Sequence, residues 1–209
     1  LVINNGQVFL EKKPEHLERD IITTPTFVIR DILKRTIVKY CENKTDEQIL
    51  GSSFADIACG SGSFLLETYQ LLNDILIDYY LANSPQKLKQ IAINTYKLNF
   101  ETKKKILKSC IFGVDKDFNA VQACKFGLLL KLLEDEDNAS IPVPALPDLS
   151  NNINFGNSLI SRADIEDENV NEINPYDFGQ RKFNVIIGNP PYMMTEHMGK
   201  ITPLELPIY

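Results

Sequence analysis

Phe54-Ala55-Asp56-Ile57-Ala58-Cys59-Gly60-Ser61-Gly62-Ser63 is the stretch on which the fold turns. Phe54 to Ala58 is apolar enough for a short buried strand, and from about Phe64 to Ala82 apolar residues recur at helical spacing. Between them, two glycines let the backbone turn sharply and approach a ligand closely. A strand that turns through glycines into a helix is the first unit of a doubly wound α/β sheet. The dinucleotide fingerprint G-x-G-x-x-G fails, because its third glycine position, counted from Gly60, is Leu65. Asp56, four positions before Gly60, suits a cationic or hydroxyl-rich ligand better than a pyrophosphate. The plainer reading of the glycines is a tight structural turn.

The same rhythm continues outward. Cys110 to Asp115 predicts a second strand, Asn119 to Leu133 a helix, Asn152 to Phe155 a third strand and Phe183 to Gly188 a fourth. Pro142, Pro144 and Pro147 stiffen the connector before the third strand. Ser84-Pro85 restarts a helical stretch toward Leu107, so a helical insertion is expected between the first two strands. Lys103, Lys104 and Lys105 are expected on a solvated face, and the acidic cluster Glu134 to Asp137 on solvated surface. Ala163 to Tyr176, polar and acidic, reads as an exposed loop. Upstream, Thr24-Pro25 precedes Val28, Ile29, Ile32, Leu33, Ile37 and Val38, which share a helical face with proline in the first turn. Leu1 to Leu10 reads equally as a hairpin around Asn4-Asn5-Gly6 or as a frayed terminus. The fold class is therefore α/β, a doubly wound and mostly parallel sheet, and its ligand-binding loops should converge on the carboxyl edge of the strands.

Bulk composition narrows the classes. The 209 residues are 44% hydrophobic and 24% charged, ordinary for a globular protein. No run reaches the length of a membrane span and no signal peptide opens the chain. A start at Leu1 rather than Met suggests a segment of a longer protein. Cys41, Cys59, Cys110 and Cys124 lack paired metal spacing and only His16 and His197 could assist them, which argues for a reduced, cytoplasmic protein without a zinc site. A net charge of −6 argues against a broad phosphate-gripping surface, so with a nucleic-acid substrate most backbone contacts would lie elsewhere.

The chemistry-bearing residues sit at strand ends. Asp115 closes Gly113-Val114-Asp115; in a nucleoside-binding sheet it would accept from both ribose hydroxyls, though it could equally serve the next helix, as Asp117 could. Asn157, in Gly156-Asn157-Ser158-Leu159, can read an adenine edge or close an Asx-turn. Asn189-Pro190-Pro191-Tyr192 follows the fourth strand. The Asn189 side-chain carbonyl and the Pro190 backbone carbonyl can both accept from one exocyclic NH2. The prolines are stiff and lack N–H groups, and Tyr192 offers a face for stacking. A strand exit with turn-forming prolines is the plainer alternative.

Taken in order, Asp56 with Gly60-Ser61-Gly62, Asp115, Asn157 and Asn189-Pro190-Pro191-Tyr192 resemble the S-adenosylmethionine-dependent N6-adenine DNA methyltransferases of restriction–modification systems. Thr24-Pro25, Ala58 to Leu65, Ile111 to Asp115, Leu128 to Leu133, Leu146 to Ser150, Asn152-Ile153 and Gly156 to Ile160 resemble the subgroup that joins endonuclease and methyltransferase in one polypeptide. The resemblance covers about Thr23 to Tyr192, which implies a partial methyltransferase domain over 23–192, an N-terminal segment over 1–22 and a tail over 193–209. It implies S-adenosyl-L-methionine as cofactor, double-stranded DNA as partner and a bacterial or archaeal cytoplasm as location.

By the same resemblance, Thr24 and Pro25 fold over the cofactor's methionine end, and Asp56 faces its amino group. Ala58, Gly60 and Gly62 belong to the cofactor floor, Asp115 binds the ribose, and Asn157 faces the adenine. Asn189, Pro190, Pro191 and Tyr192 form the target-base pocket, with Asn189, Pro190 and Tyr192 catalytic. Ala58 stands where the family often has proline, and Asn157 where Asp is common. The family's sheet continues past the acceptor loop and is followed by a target-recognition domain, so weak DNA binding is expected of these residues alone. Competing readings are methylation of another planar nitrogen, in a protein glutamine or an RNA base, and a non-catalytic cofactor-binding or specificity module. A nicotinamide dehydrogenase is disfavoured by the missing third glycine.

Overall fold

The structure, a computed structural model, describes residues 23–137, 141–142, 146–165, 169, 173–179 and 181–190. The expected N-terminal hairpin, Pro191, Tyr192 and the tail 193–209 lie outside them. Pro25 precedes helix α1 (Thr26–Leu33), which runs on through a π-helical segment, Lys34–Val38, into Lys39–Cys41. Its buried residues Ile29, Leu33, Ile37 and Cys41 are spaced by four. An unbroken 3.6-residue helix would rotate that stripe off the core, and the wider π turn brings it back. Helix α2 (Asp46–Leu50) begins in a capping box between Thr45 and Gln48 and ends at Gly51.

Strand β1 (Phe54–Asp56) is buried along its whole length, and the glycine turn after it leads into α3 (Ser63–Asn83). Phe64, Leu65, Thr68, Tyr69, Leu72, Asn73, Leu76 and Tyr80 form the buried stripe of α3, in pairs four apart. A hairpin follows, β2 (Leu88–Ala92) with β3 (Thr95–Leu98), then α4 (Phe100–Cys110), β4 (Ile111–Asp115) and α5 (Phe118–Leu133). The described sheet is completed by β5 (Ile153–Phe155) and β6 (Val185–Ile186). Its order is β5-β4-β1-β6, parallel throughout, with Phe54 opposite Ile111 and Val185, and Gly113 opposite Ile153. The α/β class and the parallel sheet agree with the sequence reading. The chain runs from β1 outward through β4 to β5 and then returns to the other side of β1. The switch point of the topology therefore lies between β1 and β6, where ligands of open α/β sheets bind.

Three expectations are corrected. The stretch from Ser84 toward Leu107 is not one helix: a 3-10 turn, Pro85–Lys87, and the β2–β3 hairpin occupy it before α4 starts. Asn94 at φ 57° makes the hairpin turn, and Asn99 caps α4 by accepting from the Thr102 N–H at 2.8 Å. The charges were misplaced only in part, since Lys105, Glu134, Asp135 and Asp137 are exposed as expected. Lys103 is buried, as is Lys97, and their ammonium groups lie 2.9 and 2.8 Å from the Glu136 carboxylate, whose side chain is 1% exposed. Lys103 also donates to the Glu134 carbonyl at 2.8 Å, and Lys97 to that of Asp135. The acidic cluster is thus a clasp between the end of α5 and the insertion, the one setting in which buried lysines are tolerated. The fourth strand is shorter than Phe183 to Gly188, with only Val185–Ile186 paired. Among the described residues no helix is long and apolar enough to cross a membrane.

Candidate active site

The loops that follow β1, β4, β5 and β6 meet at one edge of the sheet, as the alternation of elements led us to expect. Gly60 (φ 52°) and Gly62 (φ 91°) hold the left-handed conformations that the turn after β1 requires. A Cβ on Gly62 would sit 2.5 Å from the Cys124 sulfur, whereas one on Gly60 would meet nothing within 4 Å. Gly62 is thus packed onto α5, and Gly60 lines open space. The Gly60 N–H donates to Asp115 Oδ2 at 2.7 Å, and the Asp117 N–H donates to Oδ1 at 2.8 Å. Asp115 therefore pins the glycine turn from the neighbouring strand, and each of its oxygens keeps a second lone pair for a hydroxyl donor. The helix N-cap role falls to Asp117, which accepts from the Asn119 N–H at 2.8 Å.

Asp56 ends β1 and is 2% exposed. Its Oδ1 accepts from the Ala58 N–H at 3.0 Å, and no cation lies against it among the described residues. Burial, and to a lesser degree the charge of Asp115, push its carboxyl up to about 7 against the pull of that N–H. A buried acid without a counter-charge at the switch point is a seat for a cationic group. Gly188, two residues beyond β6, closes on it from the other side: a Cβ there would lie 2.4 Å from Asp56 Oδ1. Only a glycine lets the strand that leads to the acceptor tetrapeptide run so near the acid.

Asn157 is buried at 1% exposure, and its Oδ1 accepts from the Leu159 N–H at 3.0 Å, an Asx-turn. Its backbone bridges to the 174–176 segment, donating to the Asn174 carbonyl at 2.7 Å and accepting from the Tyr176 N–H at 2.8 Å. Ser158 Oγ donates to the Ile57 carbonyl at 2.7 Å, so the loop after β5 is tied to the turn after β1. At the exit of β6, Asn189 Nδ2 donates to Thr24 Oγ1 at 3.1 Å. Thr24 and Pro25 thus lie next to the acceptor loop although Thr24 and Asn189 are 165 positions apart. Asn184 fixes the entrance to β6, accepting through Oδ1 from the Ser53 N–H at 2.8 Å.

The structure brings Thr24, Asp56, Ala58, Gly60, Asp115, Asn157 and Asn189 into one linked edge. Pro190 continues the loop, and Pro191 and Tyr192 lie outside the described residues. Sequence reasoning missed Phe118 and Phe155. They meet edge to face at 5.6 Å beside the ends of β4 and β5, and are 53% and 44% exposed. The pair presents an exposed apolar surface at the ends of β4 and β5, suited to the flat face of a base. Aromatics three positions beyond a strand-end acid and at a strand end were the available signal. A cavity of about 250 Å³ lined by Lys108, Phe112, Asp148, Asn151, Asn152 and Arg181 shares none of the site residues.

The residues fit a methyl donor with a cationic amino-acid end and a nucleoside end. Asp56 could seat a cation, Asp115 could accept from hydroxyls and the Phe118–Phe155 pair could hold a ring. Comparison with known proteins points the same way. Residues 109–207 match the family model of the Eco57I restriction-modification methylase. The chain is 54% identical over 207 residues, 98% of its length, to the type II restriction enzyme and methyltransferase RM.Eco57I of Escherichia coli. It spans 21% of that relative's length. The resemblance carried by the motifs is thereby borne out, and it is to the restriction–modification methylases that this chain is similar along nearly all of its length.

Proposed function

We propose that this chain carries the cofactor and acceptor loops of an enzyme that methylates the N6 amino group of adenine in DNA, within a restriction–modification system. The observation that carries this reading is the junction of β1 and β6. There the approach to Asn189-Pro190 is pressed through Gly188 onto the buried acid of the glycine turn, so donor and acceptor sites share a wall. S-adenosyl-L-methionine, when bound, supplies a methyl group activated by a sulfonium. Thr24 and Pro25 cover its methionine end, Asp56 faces its ammonium, and the Ala58 to Gly62 turn forms the floor. Asp115 accepts from the ribose hydroxyls, and Asn157 with Phe118 and Phe155 holds the adenine.

On the acceptor side, the lone pair of an adenine amino nitrogen is delocalised into the ring and is a poor nucleophile. Asn189 Oδ1 and the Pro190 carbonyl accept its two hydrogens and favour the tetrahedral geometry that localises the lone pair. Their contribution grows as positive charge develops on nitrogen, which makes them transition-state stabilisers rather than ground-state binders. Positioning supplies the rest, with no covalent enzyme intermediate. The target base has to leave the duplex to reach this loop, and Tyr192 stacks on it. Similarity to a restriction enzyme and methyltransferase of Escherichia coli supports DNA over RNA or protein as substrate. The test is to incubate the full-length protein with isotopically labelled S-adenosylmethionine and duplex DNA, RNA or a protein mixture, and to identify the product by mass spectrometry. Labelled N6-methyladenine in DNA is expected, and label confined to RNA or to glutamine would overturn the assignment.

A further inference from the structure

A carboxamide has two ends of nearly equal size and opposite hydrogen-bonding sense. For Asn189 to accept from a target amino group, Oδ1 has to face the acceptor pocket and Nδ2 has to face away. The exposed loop gives the side chain little packing to enforce that choice, since Gly188, Asn189 and Pro190 are all solvent-exposed. Proline fixes the backbone of the next residue and says nothing about the rotation of the amide. In the structure Nδ2 is the end that faces Thr24, donating to its Oγ1 at 3.1 Å, which leaves Oδ1 on the other side of the amide. Thr24 stands just ahead of α1, whose Ile29, Leu33 and Ile37 are anchored in the core. Its hydroxyl is thus presented by a rigid element, and only the far end of the contact belongs to the loop. Being half-buried, Thr24 gives up little conformational freedom when it makes this bond.

We propose that Thr24 is a positioning residue for the acceptor amide: by taking the Asn189 Nδ2 hydrogen it turns Oδ1 toward the incoming amino group. This rests on the methyl-transfer reading above and deepens it, because it gives Thr24 a role on the acceptor side in addition to its place beside the donor. Cofactor cover and acceptor amide are then joined by a single side chain.

Thr24→Val keeps the shape of the side chain and removes the oxygen, and Thr24→Ser restores the oxygen without the methyl. Both are made in the full-length protein. Single-turnover methyl transfer to duplex DNA at saturating S-adenosylmethionine is measured alongside cofactor affinity by calorimetry. Thr24→Val is expected to lower the transfer rate by about 10- to 100-fold, the cost of a misplaced reacting group. Because Thr24 also covers the donor, the rates are compared at saturating S-adenosylmethionine, and Thr24→Ser should return most of the rate. A Thr24→Val enzyme that loses cofactor affinity but transfers at the normal rate once saturated would overturn the proposal and leave Thr24 a donor-side residue. Should Thr24→Val fail to fold, Thr24→Ser against Thr24→Ala carries the same comparison, and equal rates in those two would overturn it. A wild-type enzyme that methylates no DNA would instead sink the underlying reading, an outcome separate from any effect of Thr24.

Discussion

Asp56 concentrates the physical chemistry of the site in one side chain. Its carboxyl is pushed up to about 7 by burial, from an ordinary value of 3.8. Between those two values the folded chain holds a proton that the unfolded chain has released, so stability falls as pH rises through that window. The stability Asp56 contributes is fully present below the unfolded value and is lost above about 7. Asp56→Asn is therefore expected to be more stable than the wild type at pH 8 by a few kcal/mol, with the gap closing toward pH 4. Urea midpoints at the two pH values measure it, and a gap independent of pH would contradict the account. A cation seated on Asp56 reverses the pull, so cofactor affinity should rise as pH passes through the same region. Asp56, the glycines, Asp115, Asn157 and Asn189 were legible from sequence because each occupies a strand end at a motif's spacing. The Thr24–Asn189 bond was not, since no local pattern links residues 165 positions apart. Asn157 shows the limit of reading a residue type: an Asx-turn and an adenine contact use the same amide, and only the turn is visible in the fold.

Among elements, the long helices were readable because α3 and α5 place apolar residues at helical spacing over many turns. The insertion was readable only in part. Leu88 to Leu98 mixes apolar and charged residues over too short a run for either period to dominate. Asn94 and Asn99 settle it, the first by turning the hairpin and the second by starting α4. The lysines of α4 and the acids after α5 failed for a different reason. Charged residues on a short segment read as solvated, and their pairing across 33 positions is a tertiary fact. Glu136 holds Lys97 and Lys103 together, so Glu136→Ala leaves two buried ammonium groups uncompensated. A loss of about 3–5 kcal/mol is expected from chemical denaturation. A loss below about 1 kcal/mol would show that the clasp contributes nothing of the kind expected for a buried pair.

At the scale of the molecule, one topological feature organises the rest. The return of the chain to the far side of β1 puts the acceptor loop against the acid that ends β1, and donor and acceptor sites become neighbours without any long side chain to bridge them. The class of fold and the edge that carries the site followed from the alternation of elements. The closeness of Gly188 to Asp56 followed only from the strand order, which a single sequence does not state. A net charge of −6 fits a part of an enzyme that handles a small cofactor and one extruded base and leaves the duplex to other surfaces. The central claim is that Asn189 acts on the acceptor and not on the donor, and Asn189→Ala in the full-length protein tests it most directly. Methylation of adenine in duplex DNA should fall below detection while S-adenosylmethionine binds with nearly wild-type affinity; an Asn189→Ala enzyme that still methylates DNA would contradict the account.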